Sequence, residues 1–269
     1  MGYQHLEIDV AGHIGWLWLN RPEKLNAMSE DMWADIPAAM AELDEDDSVR
    51  VIVVAGRGSA FTVGIDLAML GTLDHAASSE AEKRMKLYQT IKRLQHTMSV
   101  FADSPKPVIA AVHGHCLGAG IDLITACDVR LASADATFSV RETRMGLVAD
   151  VGTLQRLPKI IAPGQVAELV YTGKDVDAAE AERIGLTNRT LSDPDALFRA
   201  AGELAQQIAA NSPLVVQGAK RLLREEEDMT TEAALDHVAL WNASFLWSND
   251  LQEAMMAFME KRDPDFTGT

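Results

Sequence analysis

Apolar and polar positions along the chain fall into two alternating patterns: short continuous apolar runs and stretches with helical period. Residues 3–9 and 13–19 read as two strands joined around Ala11-Gly12, a hairpin signal. Asn20-Arg21-Pro22-Glu23-Lys24 is a turn. Ser29 suits an N-cap, and Met32, Trp33, Ile36, Ala39 and Met40 then recur on one face, predicting a helix over 30–45. The apolar run at 51–55 predicts a buried strand, broken by Gly56-Arg57-Gly58-Ser59. A helical pattern covers 80–102. Pro105-Lys106-Pro107 stops it, and residues 108–112 form the next buried strand. A Gly-rich turn and a helix start follow up to 127, then short strands near 129–132 and 137–140.

From Gly152 onward the pattern is helical, at 153–162, 164–172, 178–184, 194–210, 213–225, 230–247 and 249–261. The alternation before that point predicts an α/β spiral of stacked right-handed turns. The chain divides into a spiral core at 1–194 and a helical region at 195–269. Leu235, Val238, Leu240, Trp241, Phe245, Leu246, Trp247, Met255, Met256 and Phe258 give that region much apolar surface. The Trp241–Phe245–Trp247 part is expected to bury itself on the core or on a second subunit.

Composition narrows the partners. With 269 residues, 48% of them hydrophobic, the chain can bury a sizeable core. A formal net charge of −16 argues against nucleic acid. No apolar run is long enough to span a membrane. Cys116 and Cys127 sit in apolar context without metal-site spacing and read as buried thiols. The first and last residues carry no targeting signal, so the cytoplasm is the expected compartment.

The candidate chemistry lies in two loops and three acids. The run from His113 to Leu123 holds Gly118-Ala119-Gly120 at a helix start, followed by Asp122 in the first turn. Helix starts leave amide groups unpaired, and their dipole favours negative charge. A second loop, from Ala55 to Leu67, carries Gly64 and Ile65. Two amides from separate loops are the minimum needed to grip a carbonyl oxygen as it becomes negative. The simpler reading of the Ala55–Leu67 loop is an ordinary strand-to-helix connection, and that of the His113–Leu123 run is close helix–strand packing through small residues. Asp122 either complements the helix dipole or serves a site. Glu142 either acts in a site or pairs with Arg141 or Arg144. Asp150 either acts in a site or caps a helix. Asp128 reads as structural. His113 and His115 lack a third ligand at metal-site spacing, so loop or core roles suit them better.

Several segments resemble the enoyl-CoA hydratase/isomerase (crotonase) superfamily. They are the Leu19-Asn20-Arg21-Pro22-Glu23-Lys24-Leu25-Asn26-Ala27-Met28 stretch, Phe61-Thr62-Val63-Gly64-Ile65-Asp66, Ile109-Ala110-Ala111-Val112-His113-Gly114 with Gly118-Ala119-Gly120, Thr125-Ala126-Cys127-Asp128, and the segment from Phe258 to Phe266. Together they cover nearly the whole chain. The resemblance implies a crotonase-like ββα spiral with a C-terminal helical trimerisation region, assembled as a trimer or a dimer of trimers. It implies an acyl-CoA substrate and no cofactor, CoA entering only as the substrate's thioester. A typical hydratase has Glu at Asp122, Glu at Glu142 and Gly at Asp150. The set Asp122, Glu142 and Asp150 instead looks like the Δ3,5-Δ2,4-dienoyl-CoA isomerases, with Ile65 and Ala119 at the oxyanion-hole amides and Gly64, Gly118 and Gly120 beside the substrate. The alternatives are a 2-enoyl-CoA hydratase using Asp122 and Glu142, and a non-catalytic acyl-CoA- or RNA-binding relative.

Overall fold

The computed structural model describes residues 2–71 and 76–269. In chain order its elements are β1 (Leu6–Ala11), β2 (Ile14–Leu19), α1 (Glu30–Glu45), β3 (Val51–Gly56), α2 (Leu67–Leu70), α3 (Glu80–Asp103), β4 (Val108–Val112), β5 (His115–Leu117), α4 (Ala119–Thr125), β6 (Val129–Ser133), β7 (Thr137–Ser139), α5 (Thr153–Arg156), α6 (Pro163–Thr172), β8 (Val176–Asp177), α7 (Ala178–Arg183), β9 (Arg189–Leu191), α8 (Pro194–Ala209), α9 (Pro213–Glu225), α10 (Thr231–Phe245) and α11 (Asn249–Glu260). The hairpin, α1, β3, α3 and β4 lie close to where the hydrophobic pattern puts them. Ser29 caps α1 by accepting from the Met32 amide, 3.4 Å away. β5, β8 and β9 are additions: each has two or three residues, too few to show a period.

The six-stranded sheet runs β1-β2-β3-β4-β6-β9, and the three-stranded sheet runs β5-β7-β8. Only β1–β2 in the large sheet is antiparallel; the other neighbours are parallel. The chain repeatedly leaves the large sheet for the small one. β4 leads into β5, and β6 into β7. An isolated bridge between Thr62 and Cys116 continues the small sheet into the turn after β3. This is the expected ββα spiral.

The large sheet is covered on both faces, which explains why its central strands are apolar without alternation. On one face α1 and α3 bury Trp33, Ile36, Met98 and Phe101 with Ile52, Val54 and Ala110. On the other, α8 lays Leu197, Ala201 and Ala205 against Val51, Val53, Ile109 and Leu131. The apolar face of α8 is therefore used within the subunit. α10 differs, having no buried residue. Its Trp241 ring rests over Gly218 of α9 and against Phe245. Trp247 remains 81% exposed and Phe258 86%. The expected burial of this region on the core does not occur within one chain.

Candidate active site

The turn after β3 is tied down by buried polar groups. Asn26 Nδ2 donates to the carbonyls of Arg57 (2.9 Å) and Ala60 (2.7 Å), and its Oδ1 accepts from the Arg21 amide. Thr62 Oγ1 donates to the Asn26 carbonyl (2.6 Å) and accepts from the Gly64 amide (3.1 Å). Met28 N–H donates to Gly64 O, and Asp66 N–H to Met28 O. Arg21 Nη1 binds Asp66 Oδ2 at 2.6 Å. These bonds fix Ile65 between two anchored residues. Gly64 has φ +89°, and a Cβ there would stand 2.7 Å from Leu117 O and 3.3 Å from Ala119 N. Glycine is therefore required where the two loops meet.

Ala119 is the first residue of α4. The bonds around it are taken by its neighbours: Gly118 N–H donates to Ser139 O (2.9 Å), and Ile121 N–H to Gly118 O (2.7 Å). Among the described residues, neither the Ile65 nor the Ala119 amide donates to a protein acceptor. Two free N–H groups thus stand at adjoining loops beside one cavity.

That cavity has a volume of about 860 Å³. Gly64, Ile65, Gly118, Ala119, Asp122, Glu142 and Asp150 all line it. Gly120 does not. A Cβ there would meet Thr62 Cγ2 at 2.8 Å and Cys116 Sγ at 3.1 Å, so Gly120 serves the packing of α4 rather than the cavity wall. α3 contributes Lys83, Leu87, Ile91 and Leu94, which lie on one helical face. Their spacing was readable in the sequence, but nothing there said which cavity the face would line.

The three acids differ in environment. Asp122 is fully buried on α4. Its Oδ1 accepts from the Thr153 amide at 2.6 Å, and its Oδ2 has no partner among the described residues. Burial pushes its carboxyl up to about 6, against the pull of the Thr153 bond and Arg156. Glu142 begins a 3-10 turn, Glu142–Met145, and its Oε1 lies near Gly118. Burial, then the charge of Asp122, raises its carboxyl to about 7. Pairing with neighbouring arginines is not its role: Arg141 pairs with Asp175 at 2.7 Å and Arg144 with the Thr172 carbonyl. Asp150 is exposed towards the open cavity, and the surrounding protein raises its carboxyl above the ordinary range. It caps no helix, because α5 starts at Thr153 behind Gly152 without a side-chain cap. Asp128 is structural as read, accepting from Val108 N–H at 2.7 Å and pairing with Lys220 at 2.8 Å. His113 is also structural, its Nε2 3.0 Å from Gly58 O.

The sequence reading missed Arg21, Asn26 and Thr62 as supports, and Thr153 and Arg156 as groups acting on Asp122. Their partners lie on other turns of the spiral, so no local spacing reveals them.

Known proteins give an independent comparison. A family model described as enoyl-CoA hydratase/isomerase matches residues 10–269. A mitochondrial Δ3,5-Δ2,4-dienoyl-CoA isomerase of Dictyostelium discoideum is 41% identical over 98% of this chain and 91% of its own. A peroxisomal enzyme of that name from Arabidopsis thaliana is 39% identical over 98% and 97%. The crystal structure of an enoyl-CoA hydratase from Bacillus anthracis has a TM-score of 0.89 at 29% identity, covering 99% of this chain and all of the other. The cytoplasmic expectation is overturned, because these isomerases are named for mitochondria and peroxisomes. That expectation rested on the terminal residues alone. A match over nearly the whole chain, joined to this spiral and this cavity, makes the protein a member of the enoyl-CoA hydratase/isomerase family.

Proposed function

We propose that this protein isomerises a 3,5-dienoyl-CoA thioester to the 2,4-dienoyl-CoA. The observation that carries the reading is the meeting of three acids and two unpaired amides on one largely apolar cavity. The protons at C2 of such a substrate lie between the thioester carbonyl and the first double bond, and are therefore acidic. Asp150 takes a C2 proton. The electron pair spreads over the chain to C6 and onto the thioester oxygen, where the Ile65 and Ala119 amides stabilise it as charge develops. Glu142 delivers a proton at C6, leaving the 2,4-diene. Atoms and electrons balance: one proton leaves C2, one arrives at C6, and the double bonds shift.

The environments suit these parts. Glu142, raised to about 7, holds a proton near neutrality and can donate it. Asp150, open to the cavity mouth, can carry the charge of a base. Asp122 spaces the titrations of its neighbours, since nearby carboxylates push one another's pKa apart. CoA enters as the carrier of the acyl group, and the chemistry calls for no further cofactor. Assembly as a trimer or a dimer of trimers suits the apolar faces of α10 and α11; of the helical region 195–269, α8 is committed to the core sheet of its own subunit.

The test is purified protein with a 3,5-dienoyl-CoA, following the conjugated 2,4-diene by absorbance, beside a 2-enoyl-CoA hydration assay. Faster isomerisation supports the reading. Hydration without diene formation transfers the site to a hydratase using Asp122 and Glu142. Acyl-CoA binding with neither reaction makes it a non-catalytic binding protein.

A further inference from the structure

Behind the cavity wall lies a cation that the mechanism above does not use. Arg156 is the last residue of α5 and does not line the cavity. Its Nη2 donates to Ser99 Oγ on α3 at 2.8 Å. Its Nη1 is buried and makes no hydrogen bond among the described residues. The guanidinium lies against Gly152, whose φ is +142°; a Cβ there would fall 1.9 Å from Nη1. The residue after Gly152 is Thr153, whose amide holds Asp122 Oδ1. Two residues before it stands Asp150, whose carbonyl accepts from Gln95 Nε2 of α3 at 2.7 Å. The guanidinium thus packs against the turn that presents Asp150 and that binds Asp122, and ties the end of α5 to α3.

Resting on the isomerase reading, we propose that Arg156 is a positioning residue for the proton transfer. Its guanidinium locks the Gly152 turn to α3 and supplies the positive charge that decides which acid is ionised.

The surrounding charges fit that role. Asp122 is faced by Arg156, by the acids Glu142 and Asp150, and by the buried Cys116 thiol. Arg156 is faced in turn by Asp122, by Asp103 at the end of α3, by Arg224 on α9, and by the Cys127 thiol. Arg224 is paired with Asp103, so those two largely offset each other. The cations lining the cavity are Arg141, which is engaged by Asp175, and Lys83 on α3. Arg156 acts on Asp122 by charge, without a hydrogen bond between them, through buried protein, where a charge acts more strongly than in water. It draws the Asp122 carboxyl down, against burial. The Asp122 charge then helps to keep the proton on Glu142.

The experiment uses the full chain and three variants: Arg156→Met, Arg156→Lys and Ser99→Ala. The Asp122 carboxyl is titrated by 13C NMR, its resonance assigned by its loss in Asp122→Asn. In Arg156→Met the titration is expected at higher pH than in the wild type, and Arg156→Lys restores most of the difference. With a 3,5-dienoyl-CoA, Arg156→Met should lose up to about 100-fold in kcat with KM little changed, as expected for misplaced reacting groups. The alkaline limb of its pH profile should move to lower pH. Ser99→Ala, which releases one end of the guanidinium, should move both readouts the same way by less. Should Arg156→Met fail to fold, Arg156→Lys and Ser99→Ala decide. An Asp122 titration and a pH profile unmoved in the folded variants would overturn the proposal. A wild type that forms no diene removes the isomerase reading, while the NMR titration still judges Arg156.

Discussion

In the proposed mechanism single carboxylates carry the chemistry, and two substitutions test their roles. Asp150→Asn keeps the volume and the hydrogen-bonding capacity but cannot exchange a proton. Since Asp150 caps no helix, the fold should survive, while kcat should fall about 10²–10⁴-fold, the usual worth of positioned proton transfer. Near-normal turnover in the diene assay would remove Asp150 from the mechanism. Asp122 gives a stability test. In the fold it titrates at about 6 instead of 3.8, so the native state favours its protonated form. The stability it contributes is fully present below pH 3.8 and lost as the pH rises through 6. Asp122→Asn should therefore be more stable than the wild type at pH 8, by up to about 3 kcal/mol, with the gap closing towards pH 4. Urea unfolding at both pH values measures it, and a gap that does not depend on pH would contradict the assignment. In its proposed role of proton donor, Glu142, raised to about 7, should make kcat/KM fall as the pH rises through that value.

At the scale of elements, the site depends on how closely the turns of the spiral approach each other. The loop after β3 and the start of α4 meet at Gly64, where no Cβ fits and φ is positive. Gly64→Ala should push Ile65 away from Ala119 and spoil the paired amides. A loss of about 10²–10³-fold in kcat is expected, the cost of one oxyanion donor, with the circular dichroism spectrum unchanged. Normal kcat in that variant would mean that the paired amides do not hold the thioester oxygen.

At the scale of the whole molecule, α10, α11 and the turn between them present uncovered apolar side chains. Trp247, Phe258 and Met259 are 81%, 86% and 72% exposed, far from the usual state of such side chains in a lone subunit. The chain should run as a trimer or hexamer in light scattering at micromolar concentration. Trp247→Glu with Phe258→Glu should shift it towards the monomer. A wild type of strictly monomeric mass would defeat this expectation.

Sequence by itself determined the strands of the spiral and singled out three candidate acids. Short continuous apolar runs bounded by turn residues fit strands covered on both faces, and α1, α3 and α8 supply that cover. An acid in the first turn of an apolar helix, as at Asp122, announces itself through the cost of burying charge. Tertiary structure alone decided the choices left open. Glu142 and Asp150 lost their structural alternatives because Arg141 turned to Asp175 and α5 began three residues beyond Asp150. Gly120 lost its place in the cavity wall to contacts with Thr62 and Cys116. Arg156 came to lie against the Gly152 turn, with its guanidinium bonded to Ser99 of α3. Each of these outcomes depends on which distant residue fills the space beside a group. Periodicity and spacing along the chain report an element's own faces, and carry no record of what folds against them.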